Sequence, residues 1–295
     1  MKSLWPAIMF VVAATAGAPA AEQSPDDASR AAADCKSFAD VKFNNLNVQE
    51  VISTCLSAVR TEPDDYQLHG HLGRGYLKAG QNEKALQHIR LSADKGFVRA
   101  MTLLGYMYKV GRGVSRDDDE AARLFRKAAD KGHAAAMAYL GGMYLQGHGV
   151  PRDDAEAVRW ARKAEAEGDT VGMGLLGILY MRGRGVPLNY GEAVRLFRKA
   201  ADNGDSRAFY LLGGMYEAGS GVGQDSKIAA SHVFRSLKKG NKYAARQLAA
   251  KPDGWSTVFY LELQRLLKEE GVYSGPLDGR FGPAVQSGVD VLLRE

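Results

Sequence analysis

The residues of this chain that could do chemistry are few, and most stand at spacings that keep them apart. His69 and His71 suggest a metal pair. On a helix, however, i and i+2 project to different faces, and no nearby Cys, Asp or Glu completes a zinc-site spacing. Ser236 and Lys239 reproduce the serine-x-x-lysine spacing of an acylated serine nucleophile. The Ser-Asp-Asn and Lys-Thr-Gly sequences that assist such a serine are absent, and Ala128, Ala164 and Ala200 occupy the same place 36 residues apart. Gly111-Arg112-Gly113 could cradle a phosphate, yet neither it nor its counterparts runs on into the Gly-Lys-Ser/Thr of a P-loop. Cys35 and Cys55, with 19 residues between them, are the only cysteines. No catalytic residue, metal or cofactor is predicted.

What must position these residues is a repeat. From about Arg99 to Gly240 a 36-residue unit is written four times: Gly105, Gly141, Gly177 and Gly213 fall at that spacing, and so do Tyr108, Tyr144, Tyr180 and Tyr216. Gly113, Gly149, Gly185 and Gly221 keep step, each followed by valine. A period of this length implies stacked units, none of which buries its apolar face alone. Met101, Leu104, Gly105 and Tyr108 lie at i, i+3, i+4 and i+7, one face of a first helix. Asp117, Asp153, Asn189 and Asp225 stand where a second helix is capped. Glu120, Glu156 and Glu192 three residues later predict capping boxes. Ile228 in the fourth unit predicts a weaker cap. Gly132, Gly168, Gly204 and Gly240 are stop signals. A shorter unit between Pro63 and Gly96 repeats Leu72, Gly73 and Tyr76, with a helix from Val48 to about Arg60 before it. Ala244 and Leu248 extend the array to Lys251-Pro252-Asp253-Gly254, where proline and glycine break it.

The 295 residues suggest about two domains of ordinary globular composition. The net charge of +5 is spread over mixed-sign helix faces, without the basic stripe that nucleic acid requires. Lys2, the apolar run Leu4 to Ala16, and small residues at Ala18 and Ala20 have the three-part form of a secretory signal peptide cleaved after Ala20. No later run is long enough to span a bilayer. A short disordered lead is expected over Glu22 to Arg30. In an exported chain Cys35 and Cys55 are most simply a disulfide, contributing roughly 3 kcal/mol in the chain-entropy model. The bond would staple an irregular N-terminal segment to the Val48 helix.

Leu176-Gly177, Tyr180, Gly183-Arg184-Gly185-Val186, Ala193 and Lys199-Ala200 resemble the Sel1-like repeat, and the shorter first unit resembles the related tetratricopeptide repeat. The resemblance implies adaptor or scaffold roles, binding a protein without catalysis. After the break, Leu263-Gln264, Gly271, Tyr273, Gly275, Asp278-Gly279 and Phe281-Gly282-Pro283 resemble the peptidoglycan-binding-like domain, a three-helix module of cell-wall proteins. That resemblance implies contact with peptidoglycan around Tyr273, Asp278, Arg280 and Phe281. Gly288 should weaken the last helix, and the lack of an aromatic residue near Leu292 removes a sugar-stacking surface.

The expected organisation is all-α: signal peptide 1–20, lead 21–44, tetratricopeptide-like start 45–97, Sel1-like solenoid 98–250 and terminal module 253–295. Solenoids line a binding face with one helix of each unit. First-helix positions that change from unit to unit are therefore the candidate groove: Thr102, Tyr106, Val110, Gln146, Ile178, Arg182 and Tyr210. The expected protein is a periplasmic scaffold holding an envelope protein and touching peptidoglycan. Two alternatives are a periplasmic regulator restraining a membrane sensor or polysaccharide-synthesis complex, and a weak penicillin-binding or cell-wall hydrolytic enzyme.

Overall fold

Helix signals recur every 36 residues, and the chain obeys them. A computed structural model describes residues 25–39, 41 and 47–294; the proposed signal peptide lies outside these residues. Every regular element described is helical. Two helices lead, α1 (Pro25–Ser37) and α2 (Val48–Thr61), followed by the pairs α3 (Tyr66–Lys78) and α4 (Asn82–Asp94), α5 (Val98–Val110) and α6 (Asp118–Asp130), and α7 (Ala134–Gln146) and α8 (Asp154–Ala166). The array continues with α9 (Thr170–Arg182) and α10 (Tyr190–Asp202), α11 (Ser206–Ala218) and α12 (Ser226–Lys238), and the half-unit α13 (Lys242–Ala250). The 13-residue repeat helices are each about 20 Å long.

Second helices such as α6 bury one stripe, Ala121, Leu124, Phe125 and Ala128, and keep charge on the other side. First helices such as α7 are apolar nearly all round, because they sit between their own partner and the neighbouring units. The recurring first-helix glycine makes room for its partner helix: a Cβ at Gly177 would lie 2.5 Å from the Phe197 ring, and one at Gly213 would lie 2.6 Å from Val233. The turn glycine does more. Gly185 adopts φ +69°, and a Cβ there would lie 2.3 Å from the Asp154 carbonyl of the preceding unit. The turn rests directly on the neighbouring second helix.

The caps differ from the predicted boxes. Asp117 and Asn189 accept the N–H of Glu120 and Glu192, as expected of N-caps. The N-cap residue's own N–H, however, donates to the carbonyl of the repeat tyrosine at 3.0 Å in all four units. The glycine turn folds the second helix back onto the end of the first, so that carbonyl takes the place of the glutamate. Glu120, Glu156 and Glu192 instead hold Arg123, Arg159 and Arg195 in fork-shaped pairs. The fourth unit is capped as well as the rest, because Asp225 accepts from both Lys227 and Ile228.

The lead is not wholly irregular. Alanine-rich sequence forms α1, whose Cys35 is bonded to Cys55 of α2. Arg74 donates to the carbonyls of Phe38 and Val41, and Arg99 to that of Ala39, so the chain after α1 is held by cations of the repeats. At the other end, a single 3-10 turn (Pro252–Gly254) precedes α14 (Thr257–Glu269) and α15 (Pro283–Leu292). These helices share one core with α12 and α13. Trp255 stacks on Phe259 at 4.2 Å, Ser256 donates to Ser226 and to Glu217, and Lys238 pairs with Glu270 at 2.5 Å. The terminal module is a lid on the open end of the solenoid. Gly288 lets the Val272 carbonyl approach to 2.9 Å of where a Cβ would stand, and Leu292 is buried. Residue 292 therefore packs the core, and an aromatic side chain at that position would offer no sugar platform.

Candidate functional site

The chemistry-bearing residues of the sequence prove to be structural. Ser236 is fully buried and its hydroxyl donates to the Ser206 carbonyl at 2.6 Å while accepting from Asn241; it joins two helices and faces no cleft. His69 and His71 diverge as helical spacing requires. His69 bonds His88 (Nδ1 to Nδ1, 2.8 Å) and the Pro63 carbonyl, and His71 meets Phe97 edge-on. Burial, with the nearby Arg74 and Arg99 charges, pushes His71 down to about 4. His88, which sequence spacing did not single out, stacks between His69 and Tyr76. Among the described residues, no group of three His, Cys, Asp or Glu could hold a metal ion.

The repeat tyrosines and the arginines between the turn glycines tie unit to unit. Arg90, Arg126, Arg162 and Arg198 donate to the hydroxyls of Tyr108, Tyr144, Tyr180 and Tyr216, each 18 residues on. Arg112 reaches back to Asn82 and the Leu77 carbonyl, and Arg184 to Asp154 and the Leu145 carbonyl. Both guanidiniums bond to carbonyls in the last turn of a first helix, where intrahelical donors run out. The recurrence of Arg90, Arg126, Arg162 and Arg198 at 36 residues is visible in the sequence, but not that these arginines bridge units.

The remaining surface is the first-helix face, and the predicted groove residues divide on it. Thr102 is buried, bonded to the Val98 carbonyl and to His133, and serves packing. Ile178 is half-buried against the core formed by α9, α10 and α11. Val110, Gln146 and Arg182 are exposed at the last turns of α5, α7 and α9. Tyr106 and Tyr210 each begin an aromatic cluster. Tyr106 lies 6.0 Å from Tyr139, which stacks on Phe125. Burial, aided by Tyr106 and Asp169, pushes the Tyr139 phenol up to about 12. Tyr210 meets Tyr243 at 5.7 Å and Trp255 at 6.0 Å, and it lines an open apolar cavity of about 360 Å³ with Met181, Tyr190, Leu211 and Gly214. A Cβ at Gly142, Gly174 or Gly214 would meet nothing within 4 Å, so no packing inside the chain requires these helical glycines.

Two cations overlooked in the sequence complete the face. Lys109 lies 5.8 Å from the Tyr139 ring and Arg207 lies 5.5 Å from the Tyr243 ring. Neither forms an ion pair with a described residue. Burial pushes the Lys109 ammonium down; Asp118 opposes this, while the charges of Arg116 and Arg207 add to it. Sister positions to Lys109 are Leu145, Met181 and Glu217; a lone cation in a mostly apolar register was the available signal.

In the terminal module Tyr273 is buried, with its hydroxyl donating to the Pro276 carbonyl, and Asp278 accepts from Gln264 and from the Arg280 N–H. Both hold the turn. Arg280 is exposed, and Phe281 is half-buried against Tyr260.

An array of stacked helix pairs with aromatic clusters along its first helices defines a solenoid interaction scaffold. Comparison with known proteins agrees. The Sel1 repeat family model matches residues 67–97, 98–133, 134–169, 171–205 and 206–241, including the unit read above as tetratricopeptide-like. The chain belongs to the Sel1 repeat family, whose repeats are protein-interaction scaffolds. It is similar to the crystal structure of a Sel1 repeat protein from Oxalobacter formigenes: 28% identity, TM-score 0.58, covering 75% of this chain and 89% of that one. It is also similar to c5321, a protective antigen present in uropathogenic Escherichia coli strains: 29% identity and TM-score 0.54, covering 77% of this chain. The match spans about half of c5321, 49% of its length. None of the curated proteins matches.

Proposed function

We propose that this protein is an exported scaffold of the bacterial envelope, which holds a protein partner on its first-helix face and meets peptidoglycan through its terminal module. The observation that carries the reading is the face itself: aromatic clusters at Tyr106 and Tyr210, an apolar cavity, and helical glycines with open space before them. Glycine costs a helix about 1 kcal/mol relative to alanine, and close approach of another chain is a use for it. Export is supported by the signal-like sequence before Ala21 and by the Cys35–Cys55 disulfide, a bond favoured in oxidising compartments. The periplasm is the compartment that suits both. Contact with peptidoglycan rests on the resemblance of the terminal module, where Leu277 and Arg280 are exposed beside half-buried Phe281.

Cell fractionation with N-terminal sequencing tests export: a periplasmic protein beginning at Ala21 is expected, and an intact cytoplasmic chain would contradict it. Co-sedimentation with purified sacculi tests the wall contact. The full chain should pellet and its Leu277→Ser, Arg280→Glu variant should not. Equal pelleting of the two, or of neither, would remove peptidoglycan from the account.

A further inference from the structure

Two cations of the first-helix face have no carboxylate in ion-pair contact, whereas Glu217, in the same register as Lys109, is engaged by the Ser256 N–H. Lys109 in the last turn of α5 and Arg207 in the first turn of α11 lie against the tyrosines Tyr139 and Tyr243, and neither is paired with a carboxylate of a described residue. Other cations of the repeats are differently placed: Arg123, Arg159 and Arg195 are each forked onto a glutamate, and Lys199 holds Glu165. Lys109 is moreover half-buried, and the nearby Asp118 carboxylate is forked onto Arg116, so an ammonium that has lost water without a directly bonded counterion gains by meeting an anion. Arg207, Tyr243 and Tyr210 form a continuous path to the apolar cavity beside Leu211 and Gly214. Cationic and apolar contacts are therefore both presented by the first helices.

We propose that this face binds an extended acidic peptide segment, its carboxylates against Lys109 and Arg207 and one apolar side chain in the cavity beside Tyr210. The inference rests on the protein-scaffold reading and gives the partner its chemistry. A partner carrying Asp or Glu next to a medium-sized apolar residue satisfies both parts. A basic or purely apolar segment satisfies one at most. Gly214 leaves the cavity open, so the entering side chain meets the helix backbone with no Cβ in its way.

The test uses the full chain and two fluorescein-labelled heptapeptides, one of Glu and Asp around a central Leu, the other of Lys and Arg around the same Leu, followed by fluorescence anisotropy. The acidic probe should bind and the basic probe should not, with affinity falling as salt is raised. Lys109→Gln and Arg207→Gln should each weaken the acidic probe by about fivefold, and together by more than tenfold. Lys109→Arg should retain binding, and Lys268→Gln on α14 should leave it unchanged. Gly214→Leu should weaken the Leu probe and spare one with Gly at its centre. Matching melting temperatures identify variants that are folded. Equal binding of acidic and basic probes, or undiminished binding by the double Gln variant, overturns the proposal. Photo-cross-linking from Tyr106 or Tyr210 in the cell separates the two layers. A captured protein without acidic-probe binding overturns the acidic assignment and leaves the scaffold reading standing; loss of both overturns both.

Discussion

At the scale of single residues, glycine has three separate duties in this chain, and they have opposite consequences for substitution. Gly185 is left-handed and lies against the Asp154 carbonyl. Gly185→Ala should therefore cost ~2–4 kcal/mol through strain and the displaced turn. Gly177 is helical and is filled by the Phe197 ring. Gly214 is helical with open space before it, so Gly214→Ala should stabilise by about 1 kcal/mol. Urea denaturation of the Gly185→Ala and Gly214→Ala variants checks both signs. If Gly214→Ala also weakens partner binding, the open space is functional. Composition alone treats these glycines alike. The period separates Gly185 from Gly177, but what each faces depends on neighbouring units.

At the scale of elements, units are joined by guanidiniums that reach back one repeat. Arg184 is the clearest case, bonded to Asp154 and to the Leu145 carbonyl. Arg184, then Arg152, hold the Asp154 carboxyl down to about 2 from an ordinary 3.8. A depressed carboxylate stabilises the fold above the unfolded value, and that contribution is lost as pH falls through the folded one. Arg184→Gln should thus lower stability by ~1–2 kcal/mol at neutral pH, with the deficit shrinking between about pH 4 and pH 2. Thermal melts across that range test it; a pH-independent deficit would assign the effect to the Leu145 bond alone. The helices, their starts and their glycine stops were legible in sequence because caps and periodicity are local signals. The capping boxes were misjudged for a tertiary reason: the repeat tyrosine's carbonyl occupies the N–H that the glutamate would have taken. Helix α1 was missed because a polar, alanine-rich lead has weak local preference, and its docking to Arg74 and Arg99 involves residues far along the chain.

At the scale of the whole molecule, the disulfide and the terminal module close the two ends of an open-ended stack. A solenoid needs such ends, since a terminal unit otherwise exposes the face meant for a neighbour. Truncation at Pro252 uncovers Val233 and Leu237 of α12, which share the core of α14 and α15. The shortened chain should melt lower and self-associate with concentration in light scattering; an unchanged melting temperature would mean the module is an independent passenger. Cys55→Ser should cost roughly 3 kcal/mol. The candidate site was only partly legible at this scale. Unit-to-unit variation pointed to Tyr106 and Tyr210, but it also admitted Thr102, which is buried. It passed over Lys109 with Tyr139 and Arg207 with Tyr243, pairs that form only when neighbouring units stack.

The central claim is that the first-helix face holds a protein. Photo-cross-linking in the native cell, with the reactive residue placed at Tyr106 or Tyr210 and, for comparison, at Arg123 or Arg195 on the second helices, tests it most directly. A discrete adduct from the first-helix positions alone is expected, with the Tyr210 adduct lost when Arg182→Glu and Tyr106→Asp are combined. Equal adducts from both sets of positions, or none from Tyr106 and Tyr210, would contradict the account.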